Sequence, residues 1–290
     1  MGRYQRSLSL FRASLAVLRQ RKSLVLFPLI SGVASLILAA TFLLPAFALS
    51  PDVFDDTGGE IHPGSYVLLF CMYVVLAFVT IFFNAALVHA ADRALRGEDF
   101  TVGDSLRAAR ARIPAILPWA LVSASVSVVL RALEERLGIL GRIVGALVGL
   151  AWTLVTYLVL PLLVLEGLGV RGAVRRSTEL FKRTWGESVA GNVVIALATA
   201  LLALLALPVP FLAAVLGVFA GGVVAVIALA AAVVLTVVWW VGLAVVAGAV
   251  SGIYQTALYR YAADGWIAPA FAGSDLPHAF PPRRRRWRKN

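Results

Sequence analysis

The stretch LVLFPLISGVASLILAATFLLPAFAL, positions 24–49, contains no charged side chain. About 20 consecutive apolar residues are enough to cross the hydrocarbon of a bilayer as a helix. Comparable runs lie at 65–90, 114–132 and 139–165, and a longer apolar block covers about 189–259. With 61% hydrophobic residues, the chain holds more apolar surface than a water-soluble core of 290 residues would bury. Hydrocarbon is therefore the solvent expected for most of it, and only helices or closed barrels satisfy their backbone there. Runs of this length specify an all-α polytopic membrane protein, with residues 1–270 as one integral domain.

Parity follows from charge. LPVPF (207–211) and AGG (220–222) break the last block, so span five is expected to end before Pro208. Residues 211–220 then form a re-entrant or interfacial elbow, and span six covers 222–259. With six spans, all but three of the 26 Lys and Arg fall on one side. Basic loops mark the cytoplasm, so both termini are expected there, in a multi-pass protein of the cell (inner) membrane. The exceptions are Arg131, Arg136 and Arg142, in the third loop. The first loop carries Asp52, Asp55, Asp56 and Glu60 and no basic residue. A seventh span would put RRRRWRK outside. AFA at 46–48 resembles a signal-peptide cleavage site, but the apolar run before it is too long for such a signal, so span one reads as an anchor.

Two echoes run through the sequence. SLSLFRASL (7–15) resembles STELFKRTW (177–185), with Ser7, Phe11 and Arg12 aligned to Ser177, Phe181 and Lys182. FNAALVHAAD (83–92) resembles YQTALYRYAAD (254–264) with one residue inserted, and aligns Asn84 with Gln255. The similar offsets predict a threefold repeat of an amphipathic helix followed by a transmembrane hairpin, in units of about 1–97, 98–168 and 169–266. The amphipathic helices are expected to lie flat on the cytoplasmic face. There Arg6, Arg12, Arg175, Arg176, Lys182 and Arg183 would meet anionic headgroups, with Trp185 dipping into the acyl boundary. An ordinary loop helix packed on its neighbours is the alternative. The tail 271–290 reads as disordered and cytoplasmic, with Arg283, Arg284, Arg285, Arg286, Arg288 and Lys289 resting on anionic lipid. No nucleic-acid partner is expected. A membrane-protein partner or a second copy of the chain remains open.

No intramembrane carboxylate or histidine lies near a midplane, and no metal or cofactor site is expected. His89 and Asp92 share a helix face but read as a solvated helix end. The acidic first loop lacks the ordered spacing of a calcium loop. Ser123 and Ser127 share a face of span three without a base in reach, which leaves packing as their role. Cys71 is the only cysteine and reads as apolar filler. Asn84 and Gln255 either line a polar cavity or hydrogen-bond between helices, the simpler reading. Small-residue spacing at Gly141, Gly145 and Gly149 makes span four the first candidate for close helix contact, ahead of Gly217 with Gly221 and Gly248 with Gly252. Pro28, Pro45, Pro118 and Pro161 either kink their spans or mark irregular backbone buried in the bundle.

Three segments, SLSLFRASLAVLRQRKSLVLFPLISG, STELFKRTWGESVAGN and SGIYQTALYRYAADG, together resemble a domain-of-unknown-function family of six-span bacterial and archaeal membrane proteins. The resemblance covers most of the chain and is most specific at FKRTWGE. The layout is also similar to the membrane domain attached to some glycerophosphodiester phosphodiesterases, although no phosphodiesterase domain is present. These resemblances imply a fold and a location, with no activity or site residues. The expected function is a non-catalytic bundle engaging lipid headgroups or a membrane partner. Its alternative is a small-solute or ion transporter with a polar cavity near Asn84 and Gln255. A lipid-modifying enzyme built on His89, Asp92 and Glu166 ranks third.

Overall fold

The computed structural model describes residues 3–49, 63–220 and 222–272, with side chains described for Ser9 and residues 11–45, 67–132, 141–180, 195–215 and 222–272. Every regular element in this set is helical. In chain order they are α1 (Arg3–Gln20), a 3-10 turn (Lys22–Val25), α2 (Leu26–Leu49), α3 (Pro63–Leu95), α4 (Val102–Ala111) and α5 (Ile113–Thr156). There follow α6 (Val159–Pro161), a π-helical turn (Leu162–Glu166), α7 (Val170–Leu204), α8 (Pro208–Ala220), α9 (Gly222–Asp264) and a 3-10 turn (Pro269–Phe271). Among the described residues six helical stretches are long and apolar enough to cross a membrane, beginning at Lys22, Val67, Ile113, Gly141, Ile195 and Gly222.

Helix α5 joins the expected spans three and four without an extended loop. A straight helix rises about 1.5 Å per residue, so Trp119 and Trp152 would stand roughly 50 Å apart. Their rings instead stack with centroids 5.9 Å apart. A Cβ built on Gly149 would meet Leu130 Cδ1 at 3.7 Å. Both pairs require the chain to double back between residues 130 and 149. The hairpin expected from charge and hydropathy is thus formed while the backbone stays helical through its tip.

The last hairpin corrects the expected elbow. Helix α8 packs along α9, and the fifth membrane-length stretch runs from Ile195 through to Val215. The reversal comes at Gly222, whose φ of +58° suits glycine. Pro208 and Pro210 bend the ascending arm rather than end it. Pro208 has no N–H for the Leu204 carbonyl, which accepts from Leu207 instead. One turn earlier, the indoles of Trp239 and Trp240 donate to the carbonyls of Leu202 and Ala203 at 3.0 and 3.1 Å. Side chains of the descending arm thus satisfy backbone loosened by the prolines.

The segments expected to be amphipathic join their spans in different ways. Helices α1 and α4 are separate from the spans that follow them, whereas residues 174–185 form the start of the continuous α7. One face of that start is buried in protein at Ala173, Ser177 and Leu180, spaced as neighbouring turns of a helix. Helix α1 likewise buries Ser14, Val17 and Leu18 and packs on α7 and α9. The side chains of Arg6, Lys182, Arg183 and Trp185, the first loop and the basic tail lie outside the described residues.

The buried core gathers at one end of the bundle. It contains Leu24 and Phe27, the run Ala85–Val88, Ile116, Val164, and Ile253, Tyr254 and Leu258. A second cluster brings Trp119, Leu158, Leu162 and Leu163 against Leu180 and Tyr259. Away from this end the spans show large apolar side chains on their outer faces, such as Leu36, Phe211 and Val223.

Candidate functional site

Helices α3 and α9 run parallel into the packed end, because Leu87 meets Gly252 and Asp92 meets Arg260 one to two turns further on. A Cβ on Gly252 would sit 2.5 Å from Leu87 Cδ2, so glycine is what allows the close approach. Gly248, one turn earlier, faces Pro28 of α2. Close helix contact thus occurs on α9, while Gly141 and Gly145 of span four are also buried.

At the foot of this contact lies a charge cluster centred on the buried Asp92. Arg260 donates from Nε to Asp92 Oδ1 at 2.6 Å and from Nη2 to Asp92 Oδ2 at 2.8 Å. Such a fork is the strongest geometry for an arginine and a carboxylate. Arg260 Nη1 also reaches Asp264 Oδ2 at 3.0 Å, and Arg96 Nε lies 3.3 Å from Asp92 Oδ2. The guanidinium of Arg96 sits 6.0 Å from the centroid of the Trp266 ring. Two aspartates and two arginines thus balance. This corrects the reading of Asp92 as a solvated helix end, since it is only 7% exposed. The echo held the missed signal: its one inserted residue sets Arg260 four residues before Asp264, on a helix parallel to the one bearing Asp92.

The other polar residues are drawn into separate structural roles. His89 Nδ1 lies 3.4 Å from Ser105 Oγ. Glu166 accepts from the Tyr259 hydroxyl at 2.9 Å. The set named for an enzyme, His89, Asp92 and Glu166, is therefore split among different partners. Ser127 donates to the Ser123 carbonyl at 3.0 Å within its own helix.

Gln255 has a specific task. Span four breaks after Thr156, and Pro161 carries no N–H to offer the Tyr157 carbonyl four residues earlier. Gln255 Nε2 donates to that carbonyl from α9. Ser177 of α7 repairs the other side of the break. Its hydroxyl donates to the Val155 carbonyl at 2.6 Å and accepts from the Leu158 N–H at 3.3 Å. Irregular backbone at membrane depth is tolerated where protein satisfies it in this way. Asn84 is half-buried and takes no part in this bond.

The arginines face outward along the same end. Arg12 and Arg175 are exposed, and Arg175 and Arg176 lie 3.5 and 3.7 Å from Glu179. An open cleft of about 580 Å³ lies where α5 begins and the π-helical turn hands over to α7, lined in part by Arg112 and Arg171. A second, about 670 Å³, runs along α1 beside Phe11, Arg12, Leu15 and Arg19. Neither is lined by Asn84 or Gln255. Beyond the cleft, Asp104 at the start of α4 accepts from the Thr101 hydroxyl at 2.6 Å. That bond holds its carboxyl below the usual carboxylate range.

No curated protein and no solved structure matches the chain. Residues 64–268, from the start of α3 to the residue before the final 3-10 turn, match the family of unknown function DUF6159, and the chain belongs to that family.

Proposed function

We propose that this protein is a non-catalytic membrane bundle whose basic end engages anionic lipid headgroups, with both termini in the cytoplasm. The carrying observation is the coincidence, at one end, of a sealed polar interior and an outward-facing set of arginines. Asp92, Glu166 and Gln255 are each held by protein partners, whereas Arg12, Arg171 and Arg175 are exposed. A Lys or Arg near an anionic surface contributes about 1 kcal/mol of attraction. The threefold repeat belongs to this reading. Helix α1 with the α2–α3 pair, α4 with the α5 hairpin, and the start of α7 with the α7–α9 hairpin have the same order. The looser likeness to a phosphodiesterase-linked membrane domain adds no activity to it.

Thermal unfolding in nanodiscs of zwitterionic and of anionic phospholipid tests the proposal. Anionic lipid should raise the midpoint for the wild type, and the gain should shrink when Arg175, Arg176, Lys182 and Arg183 become Gln. Equal midpoints in the two lipids would refute it. One observation favours a transporter instead: the broken backbone at Tyr157 sits beside Gln255, as at the interrupted helices of ion-coupled carriers. Tracer flux into sealed proteoliposomes above protein-free controls would move the assignment there.

A further inference from the structure

Arg112 directly precedes the third membrane-length stretch, which starts at Ile113, and Gly167 directly follows the fourth, which ends at Glu166. The cleft between them therefore opens at the boundary of the apolar zone. Its floor holds the Arg112 guanidinium, laid against Gly167 so closely that a Cβ there would meet Nη1 at 2.5 Å. Gly167 has φ +70°, so both its conformation and this contact require glycine. Arg171 also lines the cleft, and Pro114, Pro118 and Leu168 supply apolar lining. Neither arginine has an acidic partner among the described residues. The apolar wall does not stop at the cleft. It continues up the outer face of α5 through the exposed Leu117 and Leu121. A cationic floor at the boundary joined to an exposed apolar stripe has the two-part chemistry of one phospholipid: phosphate below, acyl chain above.

We infer that this cleft is a specific binding site for an anionic phospholipid, with the phosphate between Arg112 and Arg171 and an acyl chain along Leu117 and Leu121. Arginine suits this task because its planar fork matches phosphate oxygens. The start of α7, which has no side-chain cap, lines the same cleft and adds its N–H dipoles. The inference rests on the headgroup reading above and narrows it from a diffuse basic surface to one defined site.

The test is titration of the detergent-solubilised full chain with phosphatidylglycerol or phosphatidylcholine, read as bound-lipid stoichiometry by native mass spectrometry. Wild type should retain phosphatidylglycerol in preference to phosphatidylcholine. R171Q should weaken it about 5-fold and R112Q/R171Q about 25-fold, as expected for two surface cations. Arg171 is exposed, so R171Q tests the site even if R112Q folds poorly. G172W, placed on an exposed residue of the cleft wall, fills the space without changing charge and should also abolish retention. Cleft variants that bind like wild type, while R175Q/R176Q bind less, would overturn the site and leave the broader reading standing. Loss of lipid preference in none of the variants would overturn both. Displacement of the lipid by equimolar inorganic phosphate would assign the cleft to the free anion and overturn the lipid assignment.

Discussion

Leu87 and Leu36 are leucines of adjacent helices, α3 and α2, yet one is 1% exposed and the other 72%. Leu87 belongs to the packed end, where side chains from α1, α2, α3, α4, α5, α7 and α9 interlock. Leu36 belongs to the outer reaches of the spans, where apolar faces look away from protein. In water the second leucine would be a liability; in hydrocarbon it costs nothing, because lipid is as apolar as another helix. Fixed geometry must therefore come from the packed end, where glycine contacts, ion pairs and repaired backbone replace the hydrophobic drive. The two regions should respond differently to substitution.

The largest difference is expected at the charge cluster. Asp92→Ala removes the forked partner of Arg260 and leaves it only Asp264. Where breaking a fully buried pair typically costs about 3–5 kcal/mol, the loss here should approach the lower end of that range. Leu36→Ala on the outer face should cost under about 0.5 kcal/mol, as other surface substitutions do. Thermal or denaturant unfolding in a fixed detergent measures both. Removing both charges with D92N/R260Q should recover part of the loss. Equal effects of Asp92→Ala and Leu36→Ala would dissolve the distinction between the two regions.

The repaired break in span four comes next. Gln255→Leu leaves the Tyr157 carbonyl without its donor, a loss of about 1–3 kcal/mol for a buried group. The cause can be isolated, since Pro161→Ala restores the N–H that the helix lacks. The double variant Q255L/P161A should be destabilised less than the two single changes together. Strict additivity would show that Gln255 acts by some means other than completing that backbone.

Glycines sharpen the comparison on a smaller scale. At Gly252 a Cβ would press on Leu87 at 2.5 Å, whereas at Gly242, on the same helix, it would meet nothing within 4 Å. Gly252→Ala should cost about 1–3 kcal/mol by overpacking. Gly242→Ala should be neutral or slightly stabilising, because alanine is the better helix former. Unfolding midpoints of the two variants check the sign at each site.

Hydropathy made the spans legible because hydrocarbon imposes length and composition on any helix that crosses it. Charge placed the hairpin between spans three and four, although no loop was needed to form it. Prolines misled at Pro208 and Pro210. A missing N–H announces a bend, and only tertiary partners such as Trp239 decide whether the chain bends or reverses. Small-residue spacing drew attention to span four, where Gly141 and Gly145 are buried, but ranked Gly252 below them, because spacing says nothing about what faces a glycine. Gln255 was singled out by its polarity in an apolar run, and its partner was hidden ninety-eight residues away. The burial of Asp92 was missed because a residue near a helix end looks solvated until another helix covers it. The arginines of the cleft were invisible in the same way: Arg112 and Arg171 lie far apart in the sequence and line one cleft only when α5 folds back.

The smallest effect lies outside the membrane-length helices, at the cap of α4. Thr101 accepts from the Asp104 N–H at 3.0 Å and donates to its carboxylate, so each residue satisfies a group of the other. The Thr101 hydrogen bond favours the ionised form of Asp104 and lowers its pKa in the folded state. A carboxyl depressed by folding stabilises at pH values above its unfolded pKa. That contribution declines as the pH falls through the unfolded and folded values, where both states become protonated. Because Asp104 lies near the surface, the contribution is small, and α4 should loosen locally in acid. Hydrogen exchange of the α4 amides between neutral pH and about pH 2.5, below the ordinary aspartate pKa of about 3.9, reads this directly once corrected for intrinsic exchange rates. Protection should fall with acid in the wild type and stay flat in Asp104→Asn, which lacks the titrating group. A wild-type α4 with pH-independent protection would mean that packing against α3, rather than its cap, holds the helix.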